Sequence, residues 1–325
     1  MNILVDVGHP AHVHLFRNAI SLWRDKGHQV VITARDKDVT TQLLSAHGLA
    51  YTVASRARRG FIGLFVELLE HDWAVIRTAR QHRSELLLGT SVAVAHASRV
   101  LPASSVVFNE DDIKSAQAFA RLTYPFADVI VTPSAVPDDL GKKHIFYDGY
   151  QELAYLHPDR FTPDRSVLDD MGVTCGEDYS LVRLTSFQAA HDRGQKGLDL
   201  ELSTALVDLL ADYGPVFVTA EGDLPEEFAR YRIRIEPHRM HNAMAYASIF
   251  VGDSQSMAIE AAVLGTPSIR CTTFVGRCPV IEELEHTYGL TYGFSPQNAD
   301  PMLERIAQLL SNETIGDEWQ RRRRR

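Results

Sequence analysis

The chain has 325 residues, 45% hydrophobic and 23% charged, with a formal charge of −9. That acidic balance argues against general nucleic-acid binding. No run approaches the ~18 apolar residues of a membrane span, and at ~150 residues per domain the length suggests two domains that need neither disulfide nor metal to hold them.

The first six residues, Met1 to Asp6, read as a strand and not as a signal peptide. Residues 3–7 form a short buried strand, and Val13, Phe16, Ile20 and Trp23 then recur at helical spacing up to Gly27. Residues 30–34 give the next strand, residues 39–46 a helix stopped by Gly48, and residues 51–54 a third strand. Further strands are expected over 85–88, 105–108 and 129–132. Strands separated by helices imply right-handed βαβ units and a parallel sheet.

Residues 151–165 hold Pro158 and Pro163 and few strand signals. They place a domain boundary there, between a Rossmann-like N-terminal half, 1–160, and a Rossmann-like C-terminal half, 161–325. The second half restarts with strands over 179–184 and 215–219 around a helix at 198–213. Then come a strand at 233–235, a helix near 241–247, a strand at 248–251, a helix at 256–264 and a strand at 268–271. The only low-complexity tract is the run Arg321 to Arg325. Cys175, Cys271 and Cys278 form no C-x-x-C pair and are odd in number, which fits a reduced, cytoplasmic compartment. Open parallel sheets bind ligands beyond the carboxyl ends of their strands, so two such sheets facing each other place the chemistry in a cleft between them.

The strongest local signal is Val251-Gly252-Asp253-Ser254-Gln255-Ser256-Met257-Ala258-Ile259-Glu260-Ala261-Ala262. A buried strand runs into Gly252, which lets the backbone turn tightly, and small polar residues open a helix. The first-turn amides are an anion site with the helix dipole behind them. Ser254 and Ser256 hydroxyls add donors, and Glu260 is placed to accept both hydroxyls of a ribose. The alternative is a plain capped helix with Asp253 or Ser254 as N-cap and Glu260 on a solvated face.

These residues, with Gly-Asp-Ser leading to Glu260-Ala261-Ala262 and then Leu264-Gly265-Thr266-Pro267, resemble the C-terminal nucleotide-sugar site of GT-B-fold enzymes. Those include the peptidoglycan N-acetylglucosaminyltransferase and the non-hydrolysing UDP-N-acetylglucosamine 2-epimerases. The resemblance implies that Gly252, Ser254, Gln255 and Ser256 meet the diphosphate, Glu260 the ribose, and the loop Glu236-Pro237-His238 the base. The whole chain also resembles an archaeal and bacterial GT-B-like family through its Gly8-His9-Pro10-Ala11-His12 start, Phe108-Asn109-Glu110-Asp111-Asp112, and the segment from Gly149 through Tyr150, Gln151 and Glu152 to Leu156.

The loop Gly8-His9-Pro10-Ala11-His12-Val13-His14 lacks G-x-G-x-x-G, which disfavours a nicotinamide enzyme. It resembles the opening loop of the peptidoglycan glycosyltransferases, which implies His12 near the acceptor hydroxyl, where a neutral imidazole can take a proton. The alternative has His9 and His12 bonding loop backbone. A metal is disfavoured, because His12 and His14 do not share a helix face.

Glu110 and Asp111 follow an apolar strand, at its carboxyl end, and are candidates for base or sugar-hydroxyl contacts. Alternatively Asn109 caps a helix and the acids complement its dipole. Glu110 matches a Glu of the 2-epimerases, but Leu88-Gly89-Thr90-Ser91 stands where they carry a needed Asp, which counts against epimerisation. Arg183 or His191, in a segment loosely resembling the epimerases, could stabilise departing diphosphate charge; for His191 the alternative is an ordinary surface loop.

Arg56, Arg58 and Arg59 precede Phe61, Ile62, Leu64, Phe65 and Val66. In an acidic chain this reads as a loop suited to peripheral contact with an anionic bilayer through residues 56–65, near a lipid-linked acceptor; the alternative is a helix entering the core.

The expectation is therefore a GT-B-like α/β protein of two Rossmann-type parallel-sheet domains. Its function is glycosyl transfer from a nucleotide diphosphate sugar, a UDP-sugar first, with no cofactor and no metal. It works in the cytoplasm, peripherally on the inner membrane face. Epimerisation of the nucleotide sugar and non-catalytic nucleotide-sugar binding are the alternatives. An isomerised sugar formed without acceptor marks the first; unchanged turnover in His12→Ala marks the second.

Overall fold

The computed structural model describes residues 1–58, 60–174, 176–185 and 197–324. It divides into two compact units, 1–155 and 156–325.

The first unit contains β1 (Asn2–Val7), α1 (Pro10–Asp25), β2 (Gln29–Asp36), α2 (Thr40–Ala46), β3 (Thr52–Arg56), α3 (Gly60–Gln81), β4 (Leu86–Gly89), α4 (Val92–Val100), β5 (Ser104–Phe108), α5 (Gln117–Thr123), β6 (Val129–Pro133) and β7 (His144–Tyr147). All seven strands are parallel, in the order β3-β2-β1-β4-β5-β6-β7. Side chains of a strand alternate between faces. Ile3, Val5 and Val7 therefore pack with Val13, Phe16 and Ile20 of α1, while Leu4 packs with Val75 and Ala79 of α3 and with α4. Asp6 follows Leu4 on the α3 side.

The second unit follows α6 (Leu153–Leu156) with α7 (Val167–Met171), β8 (Ser180–Leu184), α8 (Leu200–Ala211), β9 (Val216–Ala220), α9 (Met240–Tyr246), β10 (Ile249–Gly252), α10 (Gln255–Leu264), β11 (Ser268–Cys271), α11 (Pro279–His286), β12 (Thr291–Phe294), α12 (Asp300–Leu310) and α13 (Ile315–Arg323). Its five parallel strands run β12-β11-β10-β8-β9. α10 ends on Gly265, whose φ of +82° is the left-handed conformation that favours glycine at a helix C-cap.

Several expectations need correction. Residues 233–235 are not a strand; Val218 and Arg232 form only an isolated bridge there. Strands β7 and β12 are additional to the expected set. The basic-apolar stretch is neither a loop nor a helix sinking into the core. Arg56 closes β3, Gly60 opens the 22-residue α3, and Phe61, Ile62 and Phe65 stay exposed; Arg59 lies outside the described residues. The arginine run is not featureless: Arg321 to Arg323 are the last turn of α13, anchored by buried Trp319, whose indole N–H donates to the Leu290 carbonyl at 2.9 Å.

Candidate functional site

In an open parallel sheet the crevice forms where strand order reverses. In the first sheet that point lies between β1 and β4, and in the second between β10 and β8. Each sheet carries expected site residues at that point.

In the first unit β1 runs out into Gly8 and β4 into Thr90. The Gly8 amide donates to His12 Nδ1 at 3.3 Å, and the Thr90 hydroxyl lies 2.6 Å from Nδ1 and 2.9 Å from Nε2. His9 is the N-cap of α1 and accepts from the Ala11 amide. Each histidine thus accepts from a loop amide, and His12 also meets the Thr90 side chain and borders a cavity of about 370 Å³ with His9, Arg35, His71 and Thr90. Burial, then the His9 ring, pushes His12 down to about 3, so its imidazole is neutral at physiological pH.

A buried polar chain underlies this cavity and was not foreseen. Asp6 accepts from Thr33 Oγ1 at 2.6 Å and from His71 Nε2 at 2.9 and 3.0 Å, and His71 Nδ1 lies 2.7 Å from Ser55 Oγ. Burial alone would push Asp6 up and His71 down. Their mutual charge and hydrogen bonds reverse that, holding Asp6 below and His71 above the usual range. Beside them Arg35 pairs with Glu67. One signal was available: an acid inside the run Ile3-Leu4-Val5-Asp6-Val7 demands a partner. The partner itself lies 65 residues away.

Glu110 and Asp111 stand at the end of β5, the next strand beyond β4. No helix starts there: α5 opens only at Gln117, and Asn109 donates its side-chain amide to the Asp111 carbonyl at 2.6 Å and to Tyr124 at 2.8 Å. Asn109 is therefore a loop brace and not a helix cap. Burial, then the charges of the Glu110 and Glu152 carboxylates, pushes the Tyr147 phenol upward.

In the second unit Gly252 lies opposite Arg183. The reason for glycine is not a tight turn. A Cβ would sit 2.7 Å from the Arg183 carbonyl oxygen, so it is the approach of β8 that excludes a side chain. Ser254 is the N-cap of α10, its Oγ accepting from the Met257 amide at 3.5 Å. The amides of Gln255 and Ser256 belong to the first turn, which has no partner within its own helix. The Gln255 side-chain oxygen is buried without a partner among the described residues. Asp253 is not the cap. Its carboxylate accepts from the Thr185 amide at 2.7 Å and the Leu198 amide at 3.4 Å, and burial pushes it up to about 7. Arg183 Nη1 donates to Thr219 at 2.9 Å. His191 and residues 186–190 lie outside the described residues.

Glu260 is not on a solvated face. It is buried, with Oε1 3.0 Å from Nε2 of buried His241 on α9. The turn Pro237–Arg239 leads directly into α9, and His238 Nδ1 lies 3.3 Å from Glu236. The residues expected at base and ribose thus converge through α9. His241 was missed, and nothing in its local sequence marks it.

Among the described residues no group of three or more His, Cys, Asp or Glu is placed to hold a metal ion, and no helix is long and apolar enough to cross a membrane. Cys271 and Cys278 are buried free thiols; Cys175 lies outside the described residues.

The model of the family described as Protein of unknown function (DUF354) matches residues 1–276. The chain belongs to this family. It is 22% identical over 289 residues to Uncharacterized protein MJ0665 of Methanocaldococcus jannaschii, covering 83% of this chain and 82% of that one. Among solved structures it is similar to the UDP-GlcNAc 2-epimerase of Neisseria meningitidis bound to UDP-GlcNAc, with a TM-score of 0.73 and 13% identity over 98% of this chain and 94% of that one. It is also similar to the glycosyltransferase SsfS6 of Streptomyces sp. SF2575 complexed with thymidine diphosphate, at a TM-score of 0.62 and 13% identity over 99% and 94%. This member of the family has the GT-B-like fold, with two Rossmann-like parallel sheets of seven and five strands.

Proposed function

We propose that this protein is a glycosyltransferase that takes its sugar from a nucleotide diphosphate sugar, UDP-linked first, without a metal or other cofactor. The observation that carries the reading is the start of α10. It is a Ser-capped, glycine-preceded helix N-terminus at the switch point of the second sheet, with Glu260 one and a half turns on. There the helix dipole and the Gln255 and Ser256 amides meet the diphosphate, the Ser254 and Ser256 hydroxyls add donors, and Arg183 offsets departing charge. Glu260, steadied on one oxygen by His241, accepts the ribose hydroxyls with the other, and the turn holding His238 faces the base.

The acceptor belongs to the first unit, beside Gly8 and His12. The acceptor hydroxyl attacks the anomeric carbon, the bond from that carbon to the diphosphate oxygen breaks, and the hydroxyl proton passes to the His12 imidazole. An imidazole held at about 3 is a weak base. Loss of the long Gly8 bond frees a ring nitrogen for that proton. Glu110 and Asp111 take acceptor hydroxyls, or the proton in its place. A lipid-linked acceptor and work on the inner membrane face complete the reading.

A second reading, epimerisation of the nucleotide sugar, is favoured by the greater likeness of fold to the epimerase than to the transferase, 0.73 against 0.62. Incubation with UDP-, GDP-, CDP- and dTDP-sugars, followed by chromatography, separates the readings. Slow release of nucleoside diphosphate that falls at least tenfold in His12→Ala supports transfer, and an isomerised sugar without acceptor supports epimerisation. Binding with no turnover supports a non-catalytic binder.

A further inference from the structure

Helix α3 leaves an ordered apolar ladder uncovered. Phe61, Phe65, Leu69 and Trp73 recur every fourth residue and are 88%, 56%, 54% and 62% exposed, with Ile62 beside them at 78%. Its other side is buried through Glu67, His71, Val75 and Ala79. Single exposed apolar residues are ordinary; a continuous stripe marks an interaction surface.

The charges around the stripe select its partner. The acids of α3 are engaged within the protein: Glu67 by Arg35 and the Arg58 amide, Glu70 by Arg58, Asp72 by His96. The rim carries cations. Arg77, the next rung of the ladder, lies over the Trp73 ring at 5.1 Å, and Arg80 follows it, exposed. Arg56 stands before the helix, exposed, with a 3.7 Å contact to Asp36. Two copies packed face to face would set this basic rim against itself, whereas an anionic lipid surface complements it.

We propose that α3 lies flat on an anionic bilayer. Phe61, Ile62, Phe65 and Leu69 enter the boundary between headgroups and acyl chains, Trp73 sits at headgroup level, and Arg77 and Arg80 meet lipid phosphates. Leu64 and Leu68, on the neighbouring face, line the cavity that holds His12, so one helix borders both the bilayer and that cavity. The docking does not depend on the transferase reading and is tested without a nucleotide sugar.

The full chain is mixed with vesicles of phosphatidylcholine alone, or with about a third phosphatidylglycerol, and pelleted at near-physiological salt. Pelleting with the anionic vesicles is expected, at least tenfold weaker with neutral vesicles, with Phe61→Ser/Phe65→Ser, and with Arg77→Glu/Arg80→Glu. The replaced side chains are exposed, so the variants should keep the parent's circular dichroism. On the unaltered protein, anionic vesicles should blue-shift a Trp emission that Trp73→Phe removes. Protein left in the supernatant with both vesicle types overturns the proposal. So does sedimentation showing a dimer that Phe65→Ser converts to monomer, because the stripe would then face a second copy.

Discussion

Replacing Asp253 by Asn should remove a pH dependence of stability centred on the start of α10. The Asp253 carboxyl is buried and pushed from its ordinary 3.8 to about 7. Between those values the folded protein holds a proton that the unfolded chain releases. Its contribution is therefore fully present below 3.8 and is lost as pH rises through 7. At 1.36 kcal/mol per pH unit the span amounts to about 4 kcal/mol, an order-of-magnitude figure for a buried group. The Asn side-chain oxygen still accepts from the Thr185 amide and carries no charge at any pH. Urea unfolding at pH 5 and pH 8.5 reads the difference. Relative to Asp253→Asn, the parent protein should lose stability by a few kcal/mol at the higher pH. A constant gap between the two would refute the reasoning, and would mean that the amides of Thr185 and Leu198 hold the carboxylate ionised at both pH values.

Gly252→Ala puts a methyl 2.7 Å from the Arg183 carbonyl oxygen and should cost about 1–3 kcal/mol, read as a lowered melting temperature. His71→Ala leaves the Asp6 carboxylate buried without its cation and should cost about 3–5 kcal/mol by urea titration, more than His71→Ala in an Asp6→Asn background. His12 works in the opposite pH direction from Asp253. The unfolded imidazole protonates near 6.5 and the folded one only near 3, so stability is lost as pH falls below 6.5, and His12→Gln should flatten that acid limb.

Much of the fold is local and therefore legible in sequence. Short apolar runs such as Leu86–Gly89 and Ile249–Gly252 alternate with amphipathic segments, and that alternation alone dictates parallel sheets. The edge strand His144–Tyr147 was hidden because Ile145 and Phe146 face outward, giving no buried pattern to read. Helix Gly60–Gln81 defeats the pattern for the converse reason: its large apolar side chains, Phe61, Phe65 and Trp73, are exposed while Glu67, His71 and Thr78 are buried beside Val75 and Ala79, so its composition points the wrong side at the core. At the candidate site, Ser254 and Gly252 are visible as a strand-to-helix junction. The partner of Glu260 is not, because His241 reaches it from a helix 19 residues earlier in the chain. The relay from Thr33 through Asp6 and His71 to Ser55 draws on four separate elements and exists only after folding.

The central claim is that the start of α10 binds a nucleotide diphosphate sugar. A thermal-shift screen with UDP, GDP, CDP and dTDP sugars tests it most directly, with Glu260→Ala and the milder Glu260→Gln as controls. At about 100 times its dissociation constant, a ligand stabilises by about 2.7 kcal/mol. The account predicts such a shift for one base, UDP first, and its loss in both variants. No shift with any of the sugars, or a shift untouched by the Glu260 variants, would contradict it.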